Sequence, residues 1–110
     1  MRENSGIAVA IAAEGVDVGI DVEPVEPRSE QFSAIAFTPA ELALLPERND
    51  EWLTRLWCAK EAAGKARGTG LEGAPQKLEL TRVDGEAMLI ENRLVQTMLL
   101  DEYVVAWTPV

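Results

Sequence analysis

The chain contains no histidine and a single cysteine, Cys58. Without imidazole there is no histidine-based zinc site and no Ser-His or Cys-His nucleophilic dyad. One thiol cannot close an internal disulfide, which agrees with a reducing compartment. Acid–base chemistry near neutral pH is therefore left to carboxylates and lysines. Long apolar runs are also missing. The longest, Ile7 to Ala13, is far short of the roughly 20 residues that a helix needs to cross a bilayer. The N-terminus lacks the charged, apolar and small-residue succession of a signal peptide. These absences predict a soluble, cytoplasmic protein without a membrane partner. Positive charge is scarce: 10 Lys and Arg stand against 19 Asp and Glu, for a net charge of −9. That disfavours nucleic acid and anionic lipid as partners. The one local concentration of bases is Lys60, Lys65 and Arg67.

What is present is the composition of a globular domain, with 110 residues of which 47% are apolar. A single domain over residues 1–110 is expected. Ile7 to Ala13 reads as a buried strand, and Glu14-Gly15 as a turn into a second one. From Val16 the pattern alternates. Val16, Val18, Ile20 and Val22 fall on one face, and Asp17, Gly19, Asp21 and Glu23 on the other. Pro24 and Pro27 end that strand, and residues 24–37 read as a loop with a short turn near Phe32. Thr38-Pro39-Ala40-Glu41 is a capping-box start for a short helix to about Leu45. Asn49 caps a long helix over Asp50–Arg67, closed by Gly68. Gly68 to Pro75 is a glycine-rich loop. Strands follow at Leu78–Val83, Ala87–Ile90 across an Asp84-Gly85 turn, residues 93–98, and Tyr103–Thr108. The class is α+β, an antiparallel β-sheet packed against one long and one short helix.

Two segments carry chemistry. In Gly19-Ile20-Asp21-Val22-Glu23, residues two apart project to the same side, so Asp21 and Glu23 present paired carboxylates. Two such charges resist joint ionisation unless a cation lies between them, and a hard divalent ion prefers these oxygens. Gly19 on the same face leaves room for a ligand near the backbone. On the long helix, Trp57, Glu61 and Lys65 share a stripe at spacings of four, with Lys60 a quarter-turn away. Taken singly, the acid pair reads as the wet face of an edge strand, and Glu61–Lys65 as a surface ion pair.

Together the two segments resemble the signature of the 4′-phosphopantetheinyl transferase superfamily. That signature is G-[IV]-D-x-[ED] on a strand, then W-x-x-K-E-[AS]-x-x-K on a helix. Here it reads Gly19-Ile20-Asp21-Val22-Glu23, then Trp57, Lys60, Glu61, Ala62 and Lys65, with 37 residues between Glu23 and Glu61. Gly68-Thr69-Gly70-Leu71 resembles the family's post-helix loop. Ser5-Gly6 before the strand is most like the C-terminal lobe of the two-lobed, surfactin-synthetase-activating type. Asn4 stands where that pattern has histidine, and Glu3 where it has serine. The resemblance implies a magnesium enzyme that moves the phosphopantetheine arm of coenzyme A to a serine of an acyl or peptidyl carrier protein. It implies Asp21, Glu23 and Glu61 as metal ligands, and Glu61 and Lys65 as catalytic residues. Asn4, Ser5, Lys60, Lys65, Gly68 and Gly70 would line the coenzyme site. Family sites lie between lobes or subunits, so a homodimer, a homotrimer or a separate N-terminal lobe is implied. A non-catalytic lobe that only binds coenzyme A or a carrier protein is the alternative.

Overall fold

The computed structural model describes residues 18–68 and 75–109. The elements are β1 (Ile20–Pro24), α1 (Glu30–Ala36), α2 (Pro39–Leu44), α3 (Asp50–Arg67), β2 (Leu80–Asp84), β3 (Ala87–Ile90), β4 (Arg93–Leu100) and β5 (Tyr103–Trp107). The five strands form one antiparallel sheet in the order β1-β5-β4-β3-β2. This is the expected α+β architecture, with one helix more than the sequence suggested. The strand expected over Ile7 to Ala13 and the Glu14-Gly15 turn lie outside the described residues. Among the described residues, no helix is long and apolar enough to cross a membrane.

The caps work as their residue types dictate. The Thr38 hydroxyl accepts from the Glu41 amide at 3.1 Å, and Glu41 Oε1 accepts from the Thr38 amide at 2.8 Å, closing the capping box. The Asn49 side chain accepts from the Trp52 amide and starts α3. Gly68 ends it at φ 83°, in the left-handed region that favours glycine. The extra helix, α1, begins at Ser29, whose hydroxyl accepts from the Phe32 amide at 3.0 Å. The nearby prolines obscure this start, but Pro24 and Pro27 both precede the cap and leave the helix interior free.

Helix α3 lies across one face of the sheet and contacts β1, β5, β4 and β3. Its buried side is lined by Leu56, Ala59, Ala62 and Ala63, against Met88, Ile90, Val95, Val104 and Ala106. The chain of small residues allows the strands to approach closely. The closest approach is at Gly19: a Cβ there would fall on the carbonyl oxygen of Ala62 and within 2.8 Å of the Ala66 amide nitrogen. The space beside Gly19 is thus filled by α3 and not left for a ligand, which corrects the sequence expectation. The Gly19 amide donates to Thr108 Oγ1 at 2.8 Å, and its carbonyl accepts from the Thr108 amide at 2.9 Å, so β1 is also fixed laterally.

A consequence is that β1 turns its acids inward. Asp21 lies on the α3 side and is 9% exposed. Ile20 and Val22 lie on the opposite face, packed with Tyr103, Val105, Leu100 and Trp107. The common apolar-in, polar-out alternation is reversed.

A second buried polar feature joins α2 to α3. Lys60 and Glu41 form an ion pair at 2.7 Å with both side chains 0% exposed. Glu41 Oε2 also accepts from the Leu80 amide at 2.7 Å, and Lys60 Nζ donates to the Pro75 carbonyl at 2.9 Å. Four segments of chain meet at this pair, and the lysine stacks near the Phe37 ring. Burial pushes Lys60 below the usual lysine range, and the Glu41 carboxylate opposes that shift.

Two stability predictions follow from these contacts. Gly19→Ala should cost about 3 kcal/mol or more, read as a lower urea midpoint, because neither Ala62 O nor Ala66 N can yield without moving α3. Lys60→Met should cost about 3–5 kcal/mol by leaving Glu41 as a buried unpaired charge, and adding Glu41→Gln should recover part of the loss.

Candidate active site

Strand β1 and the last two turns of α3 bring four of the sequence candidates together. Lys65 Nζ donates to Asp21 Oδ1 at 2.9 Å and to the Ile20 carbonyl at 3.1 Å. The other carboxylate oxygen of Asp21, Oδ2, is buried and has no hydrogen-bond donor. The Glu23 carboxyl is within hydrogen-bonding reach of Asp21, so a proton on Glu23 is a donor for that pair. Glu61 lies near enough for its charge to act on both Asp21 and Glu23.

The electrostatics follow from this crowding. Burial pushes the Glu23 carboxyl up to about 8, helped by the hydrogen bond and charge of Asp21 and the charge of Glu61. Arg28 opposes the shift, which places its positive charge near Glu23. Partial burial and the Asp21 charge raise Glu61 above the usual carboxylate range, against the pull of Lys65. Partial burial lowers Lys65, but the hydrogen bond and charge of Asp21, with Glu61, outweigh it and leave the ammonium favoured. The site is an excess of acid partly balanced by one lysine.

Two candidates fall elsewhere. Lys60 is sealed in the core with Glu41 and faces no solvent, so it cannot meet a phosphate as the sequence suggested. Arg67 lines a separate groove with Leu78, Ile90 and Arg93. The apparent basic cluster of Lys60, Lys65 and Arg67 is therefore dispersed around α3. One turn of helix separates residues that are close in sequence but point in different directions. Gly68 serves as the helix cap. Asn4, Ser5 and Gly70 lie outside the described residues.

Convergence of Asp21, Glu23 and Glu61 on one cation was expected from the sequence. Among the described residues, no three Asp, Glu or Cys side chains are gathered closely enough to hold a metal ion as they stand. Lys65 supplies the positive charge that Asp21 takes here. The donor chemistry still fits a hard divalent ion: carboxylate oxygens, one of them buried and unsatisfied.

Two residues near the acids were not singled out from the sequence. Cys58 lies beneath Asp21, its thiol donating to the Asp21 carbonyl at 3.2 Å. The charge of Arg28, in the segment before α1, acts on Glu23. No sequence pattern locates Arg28, because its position depends on the path of residues 25–29 between β1 and α1.

Residues 17–108 match the model of the 4′-phosphopantetheinyl transferase superfamily. A holo-[acyl-carrier-protein] synthase of Maridesulfovibrio salexigens is 35% identical over 82 residues, covering 66% of this chain and 66% of that protein. The crystal structure of Thermotoga maritima holo-[acyl-carrier-protein] synthase superposes with a TM-score of 0.68 at 29% identity, over 84% of this chain and 61% of that one. The chain thus spans just under two thirds of the length of these relatives. Both are holo-[acyl-carrier-protein] synthases, and neither bears on the likeness to a C-terminal lobe of the two-lobed type. With 17–108 accounted for by one family model and the paired acids of β1 set against Glu61 and Lys65 of α3, the chain belongs to the 4′-phosphopantetheinyl transferase superfamily.

Proposed function

We propose that this chain transfers the 4′-phosphopantetheine arm of coenzyme A to a serine of an acyl or peptidyl carrier protein, releasing adenosine 3′,5′-bisphosphate. The observation that carries this reading is the meeting of Asp21, Glu23, Glu61 and Lys65 between β1 and α3, in a member of this superfamily. Asp21, Glu23 and Glu61 are the residues that would hold magnesium, which would neutralise charge on the pyrophosphate. Lys65 is half exposed beside Asp21 and would donate to a phosphate oxygen. Glu61, whose proton affinity is raised by burial and by Asp21, is suited to accept the serine proton. Most of the catalysis in such transfers is positioning and charge neutralisation, which needs no histidine.

The likeness to a C-terminal lobe of the two-lobed type rests on the sequence around Ser5-Gly6. The full site is proposed to need a second copy of the chain or a separate lobe. Coenzyme A and carrier protein are the proposed substrates, and the cytoplasm the proposed compartment.

Transfer of a labelled pantetheine arm to apo carrier protein, with magnesium, tests the reading. Glu61→Gln should lower turnover roughly 100-fold or more with an unchanged melting temperature. Binding of coenzyme A without turnover, by the wild type and against several carriers, would favour the non-catalytic lobe instead.

The raised acids also set a pH dependence. Glu23 binds its proton more tightly folded than unfolded, so its contribution is complete below the ordinary carboxylate range and is lost as pH rises through about 8. In chelator, thermal stability should therefore fall between pH 5 and pH 9, and Glu23→Gln should flatten that fall.

A further inference from the structure

The segment between β1 and α1 carries one guanidinium whose hydrogen bonds are mostly unspent. Arg28 Nε is buried and has no acceptor. One terminal nitrogen donates to the Pro24 carbonyl over a long 3.3 Å. Among the described residues Arg28 makes no ion pair, although the chain carries 19 acids. Its charge is held in place by stacking: the guanidinium carbon lies 5.4 Å from the centre of the Phe32 ring. Phe32 in turn meets Trp57 edge-on at 5.1 Å between centroids. Trp57 is one turn before Glu61 on α3. The stack Arg28–Phe32–Trp57 thus runs from the rim of the acid site back to the helix that supplies Glu61 and Lys65.

Beyond Arg28 opens a groove of about 470 Å³ between α1 and α2, floored by Phe37, Leu42 and Leu53. Arg28 therefore lines an open groove while its charge acts on Glu23 of the acid site. An arginine held over an aromatic ring, with its donors in one plane, is suited to two oxygens of a phosphate. A surface arginine serving only solubility would not have a buried, unsatisfied Nε.

We propose that Arg28 is a phosphate-binding residue of this site, its guanidinium gripping the pyrophosphate of the donor substrate. This rests on the transferase reading for the identity of the substrate, but the binding itself can be measured without turnover. Calorimetry with magnesium pyrophosphate, and separately with coenzyme A and magnesium, on wild type, Arg28→Lys and Arg28→Gln provides the test. Arg28→Gln should weaken both ligands roughly tenfold or more, and Arg28→Lys by less, with melting temperatures within about a degree of wild type. In the transfer assay the KM for coenzyme A should rise while the KM for carrier protein stays unchanged. Equal affinity of wild type and Arg28→Gln for both ligands would overturn the proposal, as would a rise confined to the KM for carrier protein. Failure of the transferase reading would look different: the wild type would show no transfer, whatever the pyrophosphate affinities of the variants.

Discussion

The site depends on how closely β1 can approach α3. Gly19 has no side chain, and the facing residues Ala62 and Ala66 are small, so strand and helix backbones come into direct contact. That contact fixes which face of β1 looks at the helix. Once Gly19 lies against α3, Asp21 and Glu23 must follow on the same side, because the strand repeats every two residues. The acids are driven under the helix by geometry and not by their own preference for water. A larger residue at position 19 would act on the carboxylates without touching them.

Bringing acids inward has an electrostatic cost, and the chain answers it in two ways. Around Asp21 the answer is Lys65, partly exposed and bound to a single carboxylate oxygen. At Glu41 it is Lys60, fully enclosed and joined by backbone groups of Pro75 and Leu80. The closed pair fixes four segments in one arrangement. The open pair leaves an unsatisfied oxygen and a displaceable ammonium, which are the properties a binding site needs. Arg55 lies between the two kinds: it is buried, its partners Glu51 and Glu86 are open to solvent, and with Thr97 they tie α3 to the sheet.

Much of this was legible in the chain. The capping box at Thr38–Glu41, the Asn49 cap, the Gly68 terminus and the Asp84-Gly85 turn each carry local chemistry that leaves little freedom, and the helices and strands they bound form where expected. Helix α1 was hidden because the signal of Ser29 is short and two prolines stand before it. The role of Gly19 was misjudged because an empty space beside a glycine can be filled by ligand or by protein, and sequence does not distinguish them. Lys60 and Lys65 differ only in which side of α3 they leave. That depends on where the sheet lies, so their separation into core and site was not legible. The inward turn of Asp21 was hidden for the same reason, since strict alternation states the period of a strand and not which face is covered.

Cys58 gives the protein an internal sentinel. Its thiol is buried under the Asp21 carbonyl, also near that of Val104. Burial pushes it well above the ordinary thiol range, and the charges of Asp21 and Glu23 act in the same direction. While β1 stays seated on α3, this sulfur is screened from alkylating reagents and oxidants alike. Because it is the only thiol in the sequence, the rate at which it becomes labelled counts the openings of this one seam, separately from any motion in the rest of the fold.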